Sequence, residues 1–574
     1  MVSRRLYALF GLLATLVGMA VGHFTASLLN ADSSPVLAVG SGVIDRTPVS
    51  MKEWAIKQFD TDGFSVGPFD FAAGNYDKVV LIGSVFVGVG VLALVAGLIT
   101  RIRFAYGATM LVVLVLVAAG AVVDRPAFEA LDLVPVVLTA IAGVASLWWL
   151  HRTAHGLPLD PRARSTVEIA KAEGATAPAV SATSAAGKRR ATLTDRPVPS
   201  EDDAEDEIVI SPGAVTTEPR PSRRGVLIAG AVLAAAAAVL GSAGKLINNL
   251  RARAEDITLP QPAVGEAAPV LPTDLHATYS GITPLQVSNA DFYRVDTRLD
   301  TPVVSSDGWT LKIDGDVENP FELTFDELLA MPMVERDITL TCVSNSVGGK
   351  YVGGARWLGV PLQAILDRAK PGSGVDQMVA TDFDGMTIGT PYDLLTDGRE
   401  AIVAVGMNGQ ELPREHGFPA RIIVPGLYGF ISATKWVTKL TFTTYAETEV
   451  YWTERKWATR APIKPSARID TPKALTTVKP GKVLVGGVAW AQDNGGVTKV
   501  QVKVDGGEWT DATTGDDVNN VYWRQWYAEV DIDAGQHTVA ARVVDGDGMT
   551  QTDVRAEPFP GGSSGIHSVL FSVG

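Results

Sequence analysis

Cysteine is nearly missing from this chain: Cys342 is the only one in 574 residues. That excludes an intramolecular disulfide and any zinc site built from several thiolates. A lone thiol is most simply a small buried hydrophobe, and a free one is a liability in an oxidising compartment. The setting of Cys342 therefore has to decide its role. Positive charge is also scarce. The 49 Lys and Arg are outnumbered by 63 Asp and Glu, which leaves a net charge of -14. This argues against nucleic acid as a partner, because phosphate binding requires a cationic surface. The densest acidic run, Glu201 to Glu207, lies in Ser-, Ala- and Pro-rich sequence and reads as solvated linker.

Apolar sequence is abundant, at 47% of the chain, and it is concentrated before residue 245. Four runs, Leu6 to Leu29, Val79 to Thr100, Phe104 to Val123 and Leu133 to Leu150, each approach the roughly 20 residues a helix needs to cross a bilayer. A fifth, Gly225 to Gly244, is rich in Ala and Val. The flanking charges set an orientation. Arg4 and Arg5 hold the N-terminus inside, as do Arg101 and Arg103 for the turn after the second run and Arg152, Arg162 and Arg164 after the fourth. Asp124, Glu129 and Asp132 dominate the outer turn. The fifth run then carries the remainder outside. Its lead-in, Ser222-Arg223-Arg224-Gly225-Val226-Leu227, looks like a twin-arginine export signal, which suits a domain that must cross the membrane already folded. In the long outer loop from Asn30 to Asp77, Met51, Trp54, Ala55 and Phe59 recur at helical spacing, as in a helix lying on the membrane or packing on the bundle. No haem is evident, because His23 and His151 fall at opposite ends of their spans and cannot share one. Both read as structural. A quinone or a redox protein remains open as electron partner.

These features divide the chain into six parts: a four-helix membrane unit (1–151), a disordered cytoplasmic linker (152–222), a fifth span (223–246), an outer tether (247–274), a catalytic domain (275–458) and a terminal domain (459–574). The tether is Pro-rich from Thr258 to Thr273. In the catalytic part, strand-like runs (Trp309 to Ile313, Asp337 to Cys342, Arg421 to Val424) alternate with short helices (Thr324 to Ala330, Pro361 to Ala369), a mixed α+β pattern. Thr324 and Glu327 have the spacing of a capping box. In the last part, Lys482 to Trp490, Val497 to Val504, Gln525 to Ile532 and His537 to Val544 predict an all-β immunoglobulin-like sandwich. The run Asp545-Gly546-Asp547-Gly548 lacks the later Glu of a calcium loop and reads as a turn.

Four segments, NADFYRVDT, DITLTCVSNSVGG, ARWLGVPLQAIL and MNGQELPREHGFPARIIVPGLYGFISATKW, stand in an order and at spacings that resemble the sulfite oxidase superfamily of molybdopterin-dependent oxidoreductases. The likeness covers about residues 275 to 574 and points to a membrane-anchored bacterial member. It implies that Cys342 is the protein ligand to molybdenum. The residue chemistry agrees: Cys342 ends an apolar, β-branched strand, opens a Gly-rich loop, and offers a soft ligand suited to a redox metal. The resemblance assigns the pterin to Tyr293, Arg294, Val295 and Asp296, to His416 and Arg421 of the His-Gly-x-Pro-x-Arg segment, and to Ser432, Ala433, Thr434 and Lys435. Asp382, in VATDFDG, matches more loosely. Arg421 can grip a phosphate with two donors, and Lys435 adds a point charge. The terminal sandwich, in such proteins, packs on the catalytic domain and often mediates a homodimer.

The departures bear on substrate. Sulfite oxidases proper place arginines where this chain has Val347 and Val295, and a valine cannot neutralise an oxyanion. Arg356, Arg294 and Lys350 are the neighbours able to compensate. Without them the pattern is closer to the periplasmic methionine sulfoxide reductase branch. The expectation is a plasma-membrane, multi-pass protein whose catalytic domain, outside the cytoplasm, transfers an oxygen atom to or from a small sulfur- or nitrogen-containing substrate, a sulfoxide-type molecule among them. One rival is a non-catalytic envelope scaffold that keeps the fold, against which Cys342, His416 and Arg421 stand together. Another is a carrier or signalling bundle, against which stands the lack of paired charges within its spans. Replacing Cys342 with Ser is expected to abolish turnover, and normal steady-state rates in that variant would remove the metal-ligand assignment.

Overall fold

The computed structural model describes residues 3–48, 51, 63–66, 69–72, 76–155, 157, 223–251, 257–298 and 301–574. Most of the linker, and the helical pattern from Trp54 to Phe59, lie outside them. Five described helices are long and apolar enough to cross a membrane: Arg4–Leu28, Gly83–Thr100 within the helix Tyr76–Thr100, Phe104–Val123, Ala130–His155 and Arg224–Ile247 within the helix Arg223–Arg251. The first is central and packs on the second, fourth and fifth. Glycines allow this, since a Cβ on Gly11 or Gly97 would run into the facing backbone, and close backbone approach is how helices associate in lipid. A short helix, Pro35–Arg46, interrupts the expected outer loop and begins with Pro, which is preset for a first helical position. Both of the histidines considered above have protein partners. His23 Nδ1 lies 3.3 Å from Ser34 Oγ. His151 Nδ1 and the neighbouring His155 Nε2 lie 2.9 and 2.8 Å from the Tyr7 hydroxyl.

The α+β part holds two five-stranded sheets on one core. In the first, Gln410–Glu411, Ile402–Met407, Val352–Pro361 and Val334–Thr341 are neighbours in that order, and Arg421–Ile423 also pairs with Ile402–Met407. In the second the order is Phe321–Thr324, Thr310–Gly315, Val437–Thr443, Gln377–Asp382 and Thr387–Pro391, with a single parallel pair. Trp357, Leu362, Ile365, Leu440 and Phe442 fill the space between. The capping box forms, with Thr324 N donating to Glu327 Oε2 at 2.8 Å and Glu327 N to Thr324 Oγ1 at 3.2 Å.

The strand Val334–Thr341 ends next to Cys342, and other parts of the chain lie along its outer edge. The stretch expected as a loose tether lies along the first half of it: Glu335 N donates to Glu266 O at 2.9 Å, Ala263 N to Met333 O at 2.8 Å, and Glu266 pairs with Arg336 at 2.7 Å. Leu259 and Leu271 pack on the core. This corrects the tether reading for residues 257–272. Its prolines keep the backbone extended and are compatible with an edge position, which is where proline is tolerated in a sheet.

The terminal domain is a sandwich of a four-stranded sheet (Ser466–Thr471, Gly481–Trp490, Arg524–Ile532, Thr513–Thr514) and a five-stranded one (Thr477–Val478, His567–Val573, Gly535–Asp545, Val497–Val504, Thr510–Asp511). Asp545 closes the Asp-Gly-Asp-Gly turn by accepting from Met549 N at 2.7 Å. A loop of this domain covers the second half of the Cys342 strand. Thr339 N donates to Val521 O at 3.1 Å, and Trp523 N to Thr339 Oγ1 at 2.9 Å. Trp523 Nε1 reaches Leu285 O at 2.7 Å. Gly354 leaves room for the Tyr522 and Trp523 side chains, into which a Cβ would project.

The apolar helical bundle meets the catalytic domain through alternating charges. Arg298 pairs with Asp32 of the bundle and, at 2.8 Å, with Asp384. Asp384 also takes Arg125 of the bundle at 2.7 Å, and Arg125 lies 3.6 Å from Asp132. Gly385, at φ +86°, brings this hairpin turn against Pro126. Trp523→Ala is expected to destabilise the chain by about 3–5 kcal/mol and to lower the unfolding temperature of both β-containing parts in one transition. Calorimetry of the detergent-solubilised chain checks this.

Candidate active site

The loop that follows the Val334–Thr341 strand is held from within and from the sandwich. Cys342 N donates to Tyr351 O at 3.0 Å, and Tyr351 N to Asn345 Oδ1 at 2.9 Å. Ser563 Oγ donates to Asn345 O at 2.6 Å. Gly348, at φ +80°, lies against the His567 ring with no room for a Cβ. The loop therefore has one way to present Cys342, whose Sγ lies 2.9 Å from Ser344 Oγ and faces a cavity of about 170 Å³. Burial pushes the thiol pKa up. A thiolate there needs a compensating cation, which a bound metal supplies.

Segments distant in sequence meet around this cavity. Tyr293, Val295 and Asp296 come from the segment after Asp291; Asp382 from the end of a strand; His416 and Arg421 from the turn and strand after Met407; Ala433, Thr434 and Lys435 from the following loop. His416 Nε2 lies 2.8 Å from Asn289 O, which makes that nitrogen the donor and Nδ1 an acceptor. Burial lowers its pKa to about 4, so the ring is neutral. Lys435 Nζ pairs with Asp296 Oδ2 at 2.9 Å, and burial brings it down to about 8. Asp382 is pushed up to about 7 by burial, with Asp384 adding to the shift, while Met386 N donates to its Oδ1 at 2.9 Å.

Arg421 decides what the cavity can hold. It is 5% exposed, its guanidinium lies 5.2 Å from the centre of the Trp357 ring, and Nη1 donates to His416 O at 2.9 Å. Nε has no hydrogen-bond partner, and among the described residues no carboxylate pairs with it. Burial lowers its pKa to about 10, so it stays charged. A buried, unpaired cation is costly, and a phosphate in the cavity would relieve that cost with two parallel hydrogen bonds. The donor set therefore fits a pterin phosphate, and the soft sulfur of Cys342 fits molybdenum.

Two residues assigned to the pterin by resemblance do not line the cavity. Arg294 Nε instead donates to Asp296 Oδ2 at 2.7 Å and holds that carboxylate in place. Ser432 Oγ donates to Leu427 O and Tyr428 O, both at 3.0 Å, and shapes its own loop. Of the two valines, Val295 lines the cavity and Val347 does not. None of the three neighbours able to compensate does so: Arg356 is tied to Asp337 at 2.8 Å, Arg294 to Asp296, and exposed Lys350 lies over Tyr351. Sequence reasoning missed the aromatic wall of Phe430, Trp436, Trp452 and Trp457. The cluster Tyr451-Trp452 with Trp457, at the junction of two domains, was the available signal.

Residues 298–452 match the family model of the oxidoreductase molybdopterin binding domain, and 465–541 that of a bacterial Ig domain. The mitochondrial sulfite oxidase of Rattus norvegicus is 28% identical over 329 residues, covering 49% of this chain and 59% of that protein. Nitrate reductase [NADH] 2 of Nicotiana tabacum is 27% identical over 259 residues, 35% of this chain and 28% of that one. The sulfane dehydrogenase SoxCD of Paracoccus pantotrophus aligns in structure at 23% identity and a TM-score of 0.45, over 52% of this chain and 82% of that one. The fold and site thus define a molybdopterin-binding oxidoreductase domain joined to an Ig-like domain. The chain is similar to sulfite oxidases and nitrate reductases over this part, and it spans less than two thirds of the length of these two curated relatives.

Replacing Arg421 with Met keeps the side-chain length and removes the unpaired charge. The apo-protein is expected to unfold at the same or a higher temperature, while cofactor content falls at least about tenfold, the loss of one charge-assisted contact or more. Molybdenum assay alongside thermal unfolding checks both.

Proposed function

We propose that this protein is a membrane-bound molybdenum–pterin oxidoreductase acting outside the cytoplasm on a small, uncharged, sulfoxide-type substrate. The observation that carries the proposal is the pairing of Cys342 with buried, unpaired Arg421 on one cavity. A metal–pterin centre there supplies two-electron oxygen-atom transfer. The protein's own groups do the rest. Arg421 and the Lys435–Asp296 pair hold the anionic end of the pterin. Neutral His416 offers Nδ1 as an acceptor beside them. Asp382, near neutrality, is suited to take up or release a proton. The aromatic wall excludes water and favours a molecule with apolar parts.

The choice of an uncharged substrate rests on the cavity's cations. Arg421 and Lys435 are the cationic side chains lining it, and Lys435 is already neutralised. Val295 adds an apolar surface where true sulfite oxidases have arginine. Orientation rests on the basic residues at the inner ends of the spans, with the Arg223-Arg224 pair as export signal and a quinone or redox protein as electron partner.

Protein made in a host that synthesises the pterin is expected to contain about one molybdenum per chain. It should reduce a methyl sulfoxide with a kcat/KM at least about 100-fold above that for sulfite oxidation. A folded protein without metal would move the assignment to a scaffold, and efficient sulfite oxidation would overturn the substrate class.

A further inference from the structure

Three cavities lie in series from the metal pocket into the membrane bundle, and successive ones share wall residues. The second, of about 580 Å³, occupies the seam between the catalytic domain and the bundle; Thr297, Asp382 and Met386 line both it and the metal pocket. The third, of about 780 Å³, lies among the spans, and Leu37 of the Pro35–Arg46 helix lines both it and the seam. The three cavities of the series thus adjoin one another between the spans and Cys342.

Its chemistry changes along the way. The seam is charged, but its charges answer one another: Arg46 with Asp124 at 2.6 Å, Arg125 and Arg298 with Asp384 at 2.7 and 2.8 Å. No cation there lacks a carboxylate with which to receive a lipid phosphate. The third cavity is walled by apolar and small side chains such as Leu13, Leu16, Val36, Ala118 and Ala237. Of its polar groups, His23 and Thr139 belong to the outer ends of their helices, toward the seam, and mid-helix Thr15 spends its hydroxyl on Gly11 O at 2.9 Å. An occupant matched to these walls has an uncharged polar head and a long apolar tail.

We infer that this series is a binding site for an isoprenoid quinone, with the ring toward the seam and the tail among the spans. The inference rests on the oxidoreductase reading above, which requires a two-electron partner. The balance closes: a quinol and a sulfoxide give a quinone, a sulfide and water. The quinol would supply the two electrons that the sulfoxide takes up, and its two protons would leave with the sulfoxide oxygen as water. Asp382, shared by the metal pocket and the seam, is placed to pass those protons.

Binding is tested on the full chain in phosphatidylcholine nanodiscs, with decylubiquinone and menaquinone-4 as probes. One saturable site per chain is expected. Leu37→Trp at the junction, or Ala237→Trp in the third cavity, should weaken binding at least tenfold while leaving molybdenum content unchanged. Uptake no greater than in empty discs, equal affinity in both variants, or a phospholipid retained one per chain that quinone fails to displace would overturn the inference. If the variants do not fold, an azido-quinone on the unaltered chain should label residues 35–46 or 234–241, and labelling confined elsewhere would count against it. Sulfoxide reduction driven by a reduced viologen, a water-soluble donor, tests the oxidoreductase reading separately: its absence overturns that reading, and its presence with no quinone site overturns this one.

Discussion

Burying a guanidinium costs several kcal/mol unless a negative charge meets it, and the catalytic domain is organised around one that no described carboxylate meets. Arg421 sits on a short strand whose neighbours supply only carbonyls and the face of Trp357. A phosphate in the cavity would meet that charge. The nearby cations are treated differently: Lys435 and Arg294 share Asp296, and Arg356 has Asp337. The cavity is therefore anion-seeking at one point, and the reactive sulfur of Cys342 opens onto the same space.

Keeping that sulfur in place is the work of three separate parts of the chain. The edge of its strand is covered first by the Pro-rich arm and then by the Trp523 loop of the sandwich. Ser563 and His567 press on the loop beyond. Precise placement of a metal ligand requires such outer support. The Ig-like domain is thus part of how the site is built.

The bundle touches the catalytic domain at the lip of the same site. Asp384 lies two residues beyond Asp382, and it is Asp384 that Arg125 grips from the helical bundle, together with Arg298. These charges are half-buried or better, which makes each of them costly to leave alone and ties the orientation of the catalytic domain to the bundle.

Much of this was legible before any coordinates. Spans follow from run length because a bilayer has a fixed thickness. The strand before Cys342, the Thr324 capping box and the sandwich strands follow from local periodicity and capping. The sequence by itself determined the order of the parts and, through the motif around a single cysteine, the kind of site. Tertiary structure decided which charges are paired. Arg294 and Arg421 look alike in sequence, yet one neutralises Asp296 and the other faces a cavity. Structure also decided that the Pro-rich stretch is an edge arm, that Trp452 and Trp457 wall the site, and that the Cys342 cavity adjoins the seam with the helical bundle. Apart from the Arg294–Asp296 pair, those outcomes depend on contacts between residues far apart in the chain, 70 positions for the Pro-rich arm and 259 for the seam, which no local pattern encodes.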